Sequence, residues 1–226
     1  MKKILLIIIC IVAGGVYTFA RFTFEFAPAE VVESDTSSTA PVSSPEEIET
    51  LGYTGSEGRG NFSEPLQKAA ERVTKKPFGV YIDPATSPVR PERFSGYHTG
   101  TDFEIFPGEE DEDVAVSAIC TGELLAKRTA SGYGGVVVQS CEYEDKPVTV
   151  VYGHVQLSSV ASKIGDEILA GELLGHLGTG FSTETDGERK HLHLSIHRGT
   201  EGDIRGYVAS AAELSDWIDP CLLFCE

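Results

Sequence analysis

The stretch His191-Leu192-His193-Leu194-Ser195-Ile196-His197 places three of the chain's six histidines on alternate positions. Successive side chains of an extended strand point to opposite faces. His191, His193, Ser195 and His197 therefore share one face, and Leu192, Leu194 and Ile196 share the other. The leucine face suits a hydrophobic core. The histidine face does not, because buried imidazoles each need a hydrogen-bond partner; it is either solvated or a site. Positions i and i+2 stand about 6.5–7 Å apart along a strand, so His191 and His193 can converge on one small centre. One can bind a metal while the other reaches a water beside it. His197 lies about 13 Å beyond His193 along the strand, too far to join them.

Two more segments carry groups of the same kind. In GYHTGTDFE, residues 96–104, His98 and Asp102 are four apart. A straight strand would separate them too widely for one ion, and Gly96, Gly100 and two threonines disfavour a helix. A bend at Gly100, leading into the strand DFEIF, would bring them together. His154 closes the Val-rich stretch VTVVYGHVQL beside Gly153. By strand parity Tyr152 shares its face and is available to assist, although a packing role suits a tyrosine there better. His176, in GELLGHLG, has no chemical neighbours and reads as structural. Two histidines and one carboxylate suit a catalytic zinc with a fourth position left open. The remaining histidines would then serve proton transfer or oxyanion stabilisation. No His-Glu-x-x-His helix is present, so a glutamate is not the evident base.

The elements that must position these groups are short and strand-like. From Phe78 onward, FGVYI, GTDFEIF, VAVSAI, GELLAKR, GGVVVQS, VTVVYGHV, GELLGHLG and HLHLSIH alternate with glycine-containing turns. Such punctuation predicts an all-β sandwich or barrel. Ahead of it, Ser63 can cap a helix with Pro65 in its first turn, LQKAAERV in its body and Lys75-Lys76-Pro77 at its end. Near the C-terminus, Leu214 to Pro220 reads as a closing turn packed by Trp217. Residues 21–62, rich in Ser, Thr, Glu, Pro and Gly, read as a disordered spacer. Residues 1–20 carry Lys2 and Lys3 before an uncharged apolar run, which reads as a signal peptide or an N-terminal membrane anchor. The folded domain is thus expected at 63–226.

Composition narrows the function further. The 226 residues include 18 Lys+Arg against 35 Asp+Glu, a formal net charge of −17. That balance excludes a nucleic-acid surface, which needs cations to neutralise phosphates. It equally disfavours electrostatic docking on anionic lipid or polyanionic wall polymer; contact with a membrane would come through the N-terminal segment if that is uncleaved. Of the five cysteines, Cys10 lies in the apolar run, while Cys120, Cys141, Cys221 and Cys225 belong to a domain expected outside the cytoplasm. No CxxC pair exists, so disulfides or buried thiols are favoured over metal ligation. Four cysteines allow three pairings.

Taken together, the chain resembles the M23 peptidases, the lysostaphin/LytM-type zinc endopeptidases. The resemblance rests on His98-Thr99-Gly100-Thr101-Asp102, Tyr152-Gly153-His154-Val155 and His191-Leu192-His193, which stand in the family's order. KIGDEILAGELLGHLGTGFST and Trp217-Ile218-Asp219-Pro220 are also similar to family segments, and the likeness spans roughly residues 78–222. It implies a mainly antiparallel fold of the lysostaphin-like, duplicated hybrid motif type, and one Zn2+ per domain held by His98, Asp102 and His193. It implies His154 and His191 as catalytic histidines, and peptide bonds of peptidoglycan stem peptides or cross-bridges as substrate. Val155 stands where the family usually has leucine. Residues Thr183 to Lys190 form an insertion where it usually has a short Gly-Pro turn, so that loop is expected to border the groove. A catalytically silent M23-like scaffold that activates another wall hydrolase is one alternative. A phosphocarrier domain using two histidines is another; it would have no need of His98 and Asp102 as a pair.

Overall fold

The computed structural model describes residues 62–225. The expected signal or anchor segment at 1–20 and all but the last residue of the expected spacer at 21–62 lie outside them. Among the described residues, no helix is long and apolar enough to cross a membrane.

Along the chain, a one-turn helix α1 (Ala69–Arg72) precedes β1 (Tyr81–Ile82), β2 (Gly96–His98), β3 (Thr101–Glu104) and β4 (Ala115–Ser117). Two long strands follow, β5 (Gly122–Ala130) and β6 (Gly134–Tyr143), then β7 (Lys146–Gly153), β8 (Val155–Gln156), β9 (Glu167–Ile168) and β10 (Leu173–Leu177). The strand that carries the alternating histidines is β11 (His191–Arg198), and the chain closes through β12 (Tyr207–Val208), β13 (Trp217–Ile218) and α2 (Cys221–Phe224). Every strand pairing is antiparallel. The principal sheet runs β13-β11-β7-β6-β5-β9, and β3 also pairs with β11; two three-stranded sheets, β1-β2-β12 and β4-β10-β8, accompany it. The fold is all-β and mainly antiparallel, as the glycine-punctuated pattern predicts.

Two local features fix the principal sheet. β6 and β7 meet in a two-residue hairpin turn, with Tyr143 opposite Lys146 and both Glu144 and Asp145 at positive φ. That is the geometry whose twist matches antiparallel strands. Side chains then alternate strictly. Leu194 of β11, Tyr152 of β7 and Val137 of β6 form one cross-strand row, fully buried in the main core. The next row, His193, Gly153 and Val136, faces the other way, toward a smaller cluster of Tyr133, Val136, Val138 and Val151. Both faces of this end of the sheet are therefore covered, and the histidine face is buried rather than solvated.

The segment before β1 departs from the sequence expectation. Only one helical turn forms, preceded by Lys68 in a left-handed conformation, and no side chain caps it. Ser63 instead donates its backbone N–H to the Ile119 carbonyl (2.8 Å), and Ser117 donates to the Pro65 carbonyl (2.9 Å). These long-range backbone bonds pin residues 63–65 against the body of the domain, and tertiary pairing overrides a modest local helix preference. The four cysteines pair as Cys120–Cys141 and Cys221–Cys225. Trp217 is buried, as its place in the closing segment suggests, but it sits in a short strand opposite His197 of β11 rather than in a turn.

Candidate metal centre and active-site cleft

β11 is flanked by β7 on one side and by β3 followed by β13 on the other. Its pairing with β3 sets Asp102 directly opposite His193 and Glu104 directly opposite His191. Directly opposed residues have Cβ atoms about 4.5–5.5 Å apart, so the register itself joins two acid–histidine pairs on one face. His98 reaches the same place because the chain turns between β2 and β3 at Thr99-Gly100. A Cβ at Gly100 would stand 2.4 Å from the Leu194 carbonyl oxygen and 2.7 Å from the His193 ring. Only glycine lets that turn come so close.

Three donor atoms converge. His98 Nε2 lies 3.0 Å from His193 Nδ1, His193 Nδ1 lies 3.1 Å from Asp102 Oδ1, and His98 Nε2 lies 3.3 Å from Asp102 Oδ1. Tetrahedral zinc with bonds of about 2.0–2.1 Å would separate neighbouring ligand atoms by about 3.3–3.4 Å, so these spacings fit such an ion with little adjustment. The donor chemistry fits too. The Nδ1–H of His98 donates to the Pro77 carbonyl (3.2 Å), which leaves Nε2 with its lone pair turned to the cluster. All three side chains are buried, and among the described residues this is the one group of three His, Cys, Asp or Glu side chains with metal-holding geometry.

The other two histidines face each other beside the cluster, with ring centroids 4.2 Å apart. His191 donates Nδ1–H to the Arg189 carbonyl (2.8 Å), leaving Nε2 free, 3.3 Å from Asp102 Oδ2. His154 sits between β7 and β8 at φ 62°. This left-handed conformation costs a non-glycine residue about 1–2 kcal/mol, and it carries the ring out of strand alternation and over to His191. The expectation that Tyr152 shares the face of His154 is therefore corrected. Tyr152 lies in the main core, where its hydroxyl accepts from the Ile119 N–H (2.8 Å) and donates to Gln139 Oε1 (2.9 Å). Next to it, Gly153 lets another tyrosine in: a Cβ there would lie 2.4 Å from the Tyr133 ring. Tyr133 packs edge-on to His193 at 5.2 Å, and its buried hydroxyl has no protein partner.

Electrostatics set the protonation of the group. Burial alone would raise the Asp102 carboxyl, but the neighbouring His191, His98 and His193 outweigh it and hold the group well below its usual range. Burial pushes His193 down to about 4, and the hydrogen bond to Asp102 only partly offsets it. His154 is driven well down by burial and by the nearby His191. Both rings are neutral at physiological pH, the form in which histidine binds metal or accepts a proton.

Of the residues singled out in the sequence, His98 joins Asp102, His154, His191 and His193, and these last four line one cleft. Its volume is about 420 Å³, and Lys76, Glu92, Phe94, Tyr133, Arg189 and Tyr207 also line it. His197 stays outside, its ring edge-on to Trp217 at 4.9 Å, and His176 is placed on β10, away from the cleft. Three buried groups, Tyr133, Glu104 and Arg189, escaped the sequence reading. Glu104 carried a signal, since it stands two residues after Asp102 in TDFE and so shares its face. Arg189 carried none, because it belongs to the insertion.

The family model described as Peptidase family M23 matches residues 96–204. Over that span the chain matches an M23 peptidase domain. All five converging side chains fall within the matched span. The chain is 23% identical over 168 residues to endolysin 2638A of Staphylococcus phage 2638A, covering 66% of this chain but only 32% of the endolysin. Among solved structures, this chain is similar to the catalytic domain of the antimicrobial peptidase lysostaphin from Staphylococcus simulans. That likeness has 20% identity and a TM-score of 0.46, and covers 70% of this chain and 96% of the other. LytU is similar at 21% identity and a TM-score of 0.44, with 66% and 81% covered.

Proposed function

We propose that this chain is a zinc-dependent endopeptidase that hydrolyses peptide bonds in peptidoglycan stem peptides or cross-bridges. The observation that carries this reading is the convergence of His98 Nε2, Asp102 Oδ1 and His193 Nδ1 at 3.0–3.3 Å beside two further buried histidines. These three atoms would hold the zinc. Bound there, zinc supplies a Lewis acid that acidifies water and polarises a carbonyl.

The chain's own residues supply the rest. His191, its Nδ1–H held by the Arg189 carbonyl, presents Nε2 as the general base that takes the water proton and returns it to the leaving amine. His154, whose Nδ1 has no protein partner, donates to the developing oxyanion. The Tyr133 hydroxyl, whose acidity burial further weakens, keeps its proton and is a second donor facing the substrate. The catalytically silent scaffold has less support, since no position of the ligand set is lost. The proposed domain spans 63–226. An extracytoplasmic setting is supported by the Lys2-Lys3 apolar leader and by two disulfides, which persist in oxidising compartments.

The test is digestion of purified sacculi by the full chain, metal-free and zinc-reloaded, with mass analysis of the released fragments. Zinc-dependent release of peptides cut at one bond type is expected. Equal release with and without metal, or release of sugar fragments only, would overturn the reading.

A further inference from the structure

The two oxygens of Asp102 have different partners. Oδ1 faces His193 Nδ1 at 3.1 Å and His98 Nε2 at 3.3 Å. Oδ2 accepts from Arg189 Nη2 at 2.8 Å. The same guanidinium grips Glu104: Nε donates to both carboxylate oxygens, at 3.0 and 2.9 Å, and Nη2 makes a further short bond to Oε1. Asp102 is 2% exposed, Glu104 6% and Arg189 9%, so this triad is screened from water. A buried ion survives only when paired and hydrogen-bonded. Here the pairing divides one carboxylate into an inner oxygen and an outer one.

Arg189 is itself held firmly. Its carbonyl accepts from His191, and the carbonyl of Glu188 before it accepts from the Phe181 N–H (2.6 Å) and the Thr185 hydroxyl (2.8 Å). After it, Lys190 Nζ donates to the carbonyls of Glu109, Glu110 and Glu112. The insertion therefore presents a fixed fork to Asp102. A guanidinium can reach both carboxylates at once because its donors lie in one plane; an ammonium is a point charge and cannot match that.

Resting on the reading of His98, Asp102 and His193 as metal ligands, we infer that Arg189 is a positioning residue for the metal centre. It ties up Asp102 Oδ2, so that Asp102 offers the ion one oxygen rather than two and a coordination position stays open. Glu104 cancels the guanidinium charge, so that Asp102 still acts as a full anionic donor. The loop inserted before β11 thus sets the coordination number of an ion it does not touch.

Co2+ loaded into the metal-free full chain reports this directly, since four-coordinate cobalt absorbs visible light several-fold more strongly than five-coordinate cobalt. The wild type should give the strong four-coordinate bands. Arg189→Met removes the guanidinium from Oδ2, leaving it only His191 Nε2 at 3.3 Å, and the bands should weaken several-fold; Arg189→Lys should fall between the two. Glu104→Gln leaves the Arg189–Asp102 bond in place, so the spectrum should persist while metal affinity drops about tenfold. Should Arg189→Met fail to fold by circular dichroism, Arg189→Lys decides. Unchanged spectra in the folded Arg189 variants overturn the positioning role, and unchanged affinity in Glu104→Gln overturns the charge compensation. A wild type that takes up neither Zn2+ nor Co2+ defeats the metal-centre reading instead, so the two failures are distinct.

Discussion

The three converging donor atoms and the two facing histidine rings stand side by side, yet they are held in different ways. Two side chains of the first group are fixed from behind, His98 by the Pro77 carbonyl and Asp102 by Arg189; His193, whose Nε2 has no protein partner, is set by its strand register opposite Asp102. In the second group only His191 is tied. His154 rests on a left-handed backbone and a 4.2 Å ring contact, and its Nδ1 has no protein partner. The difference separates two tasks. Atoms proposed to hold an ion need their geometry set before it arrives, because their mutual spacing is the site. A group that meets substrate needs a nitrogen left unspent.

Substitutions can break that contrast from either side. The largest effect is expected for His193→Ala, which removes one of the three proposed ligands: zinc retention by atomic absorption and sacculus hydrolysis should both be lost. His154→Ala should keep its zinc and lose kcat by about 10²–10⁴-fold, the range for a removed acid–base or oxyanion group. Loss of zinc in that variant would erase the distinction between the groups. His191→Ala should behave the same way, retaining zinc without hydrolysis.

Protonation sharpens the contrast further. An unfolded histidine titrates near 6.5, whereas burial holds His193 at about 4 in the folded chain. Between those values the unfolded state binds more protons, so the metal-free protein should lose stability as pH falls, by about 3 kcal/mol for this residue across the window. Denaturant titrations at pH 7, 5.5 and 4.5 measure it. Zinc, which competes with the proton for Nδ1, should flatten the dependence. A metal-free protein equally stable at pH 7 and 4.5 would contradict the burial argument. The smallest effect belongs to Tyr152→Phe, two residues from His154 in sequence but on the core side. It should cost about 1–2 kcal/mol from the broken Ile119 and Gln139 hydrogen bonds and leave kcat unchanged.

Much of this arrangement was legible in the residues alone. Strict alternation in HLHLSIH assigned the leucine face to the core and His197 to a place away from the centre. The glycine in His-Thr-Gly-Thr-Asp marked the bend that brings His98 to Asp102. Other features depend on contacts that no local pattern encodes. His154 reaches its partner through a single left-handed residue, which parity cannot anticipate, and so Tyr152 was expected on the wrong side. The helix read at 63–76 forms only as the single turn Ala69–Arg72, because backbone bonds with Ile119 and Ser117, far along the chain, hold residues 63–65. Arg189 is conspicuous only once β3 and β11 are paired, because its partners lie more than eighty residues upstream.

β11 is read on both sides at once, leucines inward and imidazoles toward the cleft, while β3 and β7 lock its register from either edge. A single-residue insertion or deletion within it would exchange the two surfaces along the rest of the strand, lodging imidazoles among aliphatic neighbours and turning leucines toward the opening. No gradual loss of activity is available by that route. For this strand, evolution can alter letters one at a time but cannot shift the phase in which they are written.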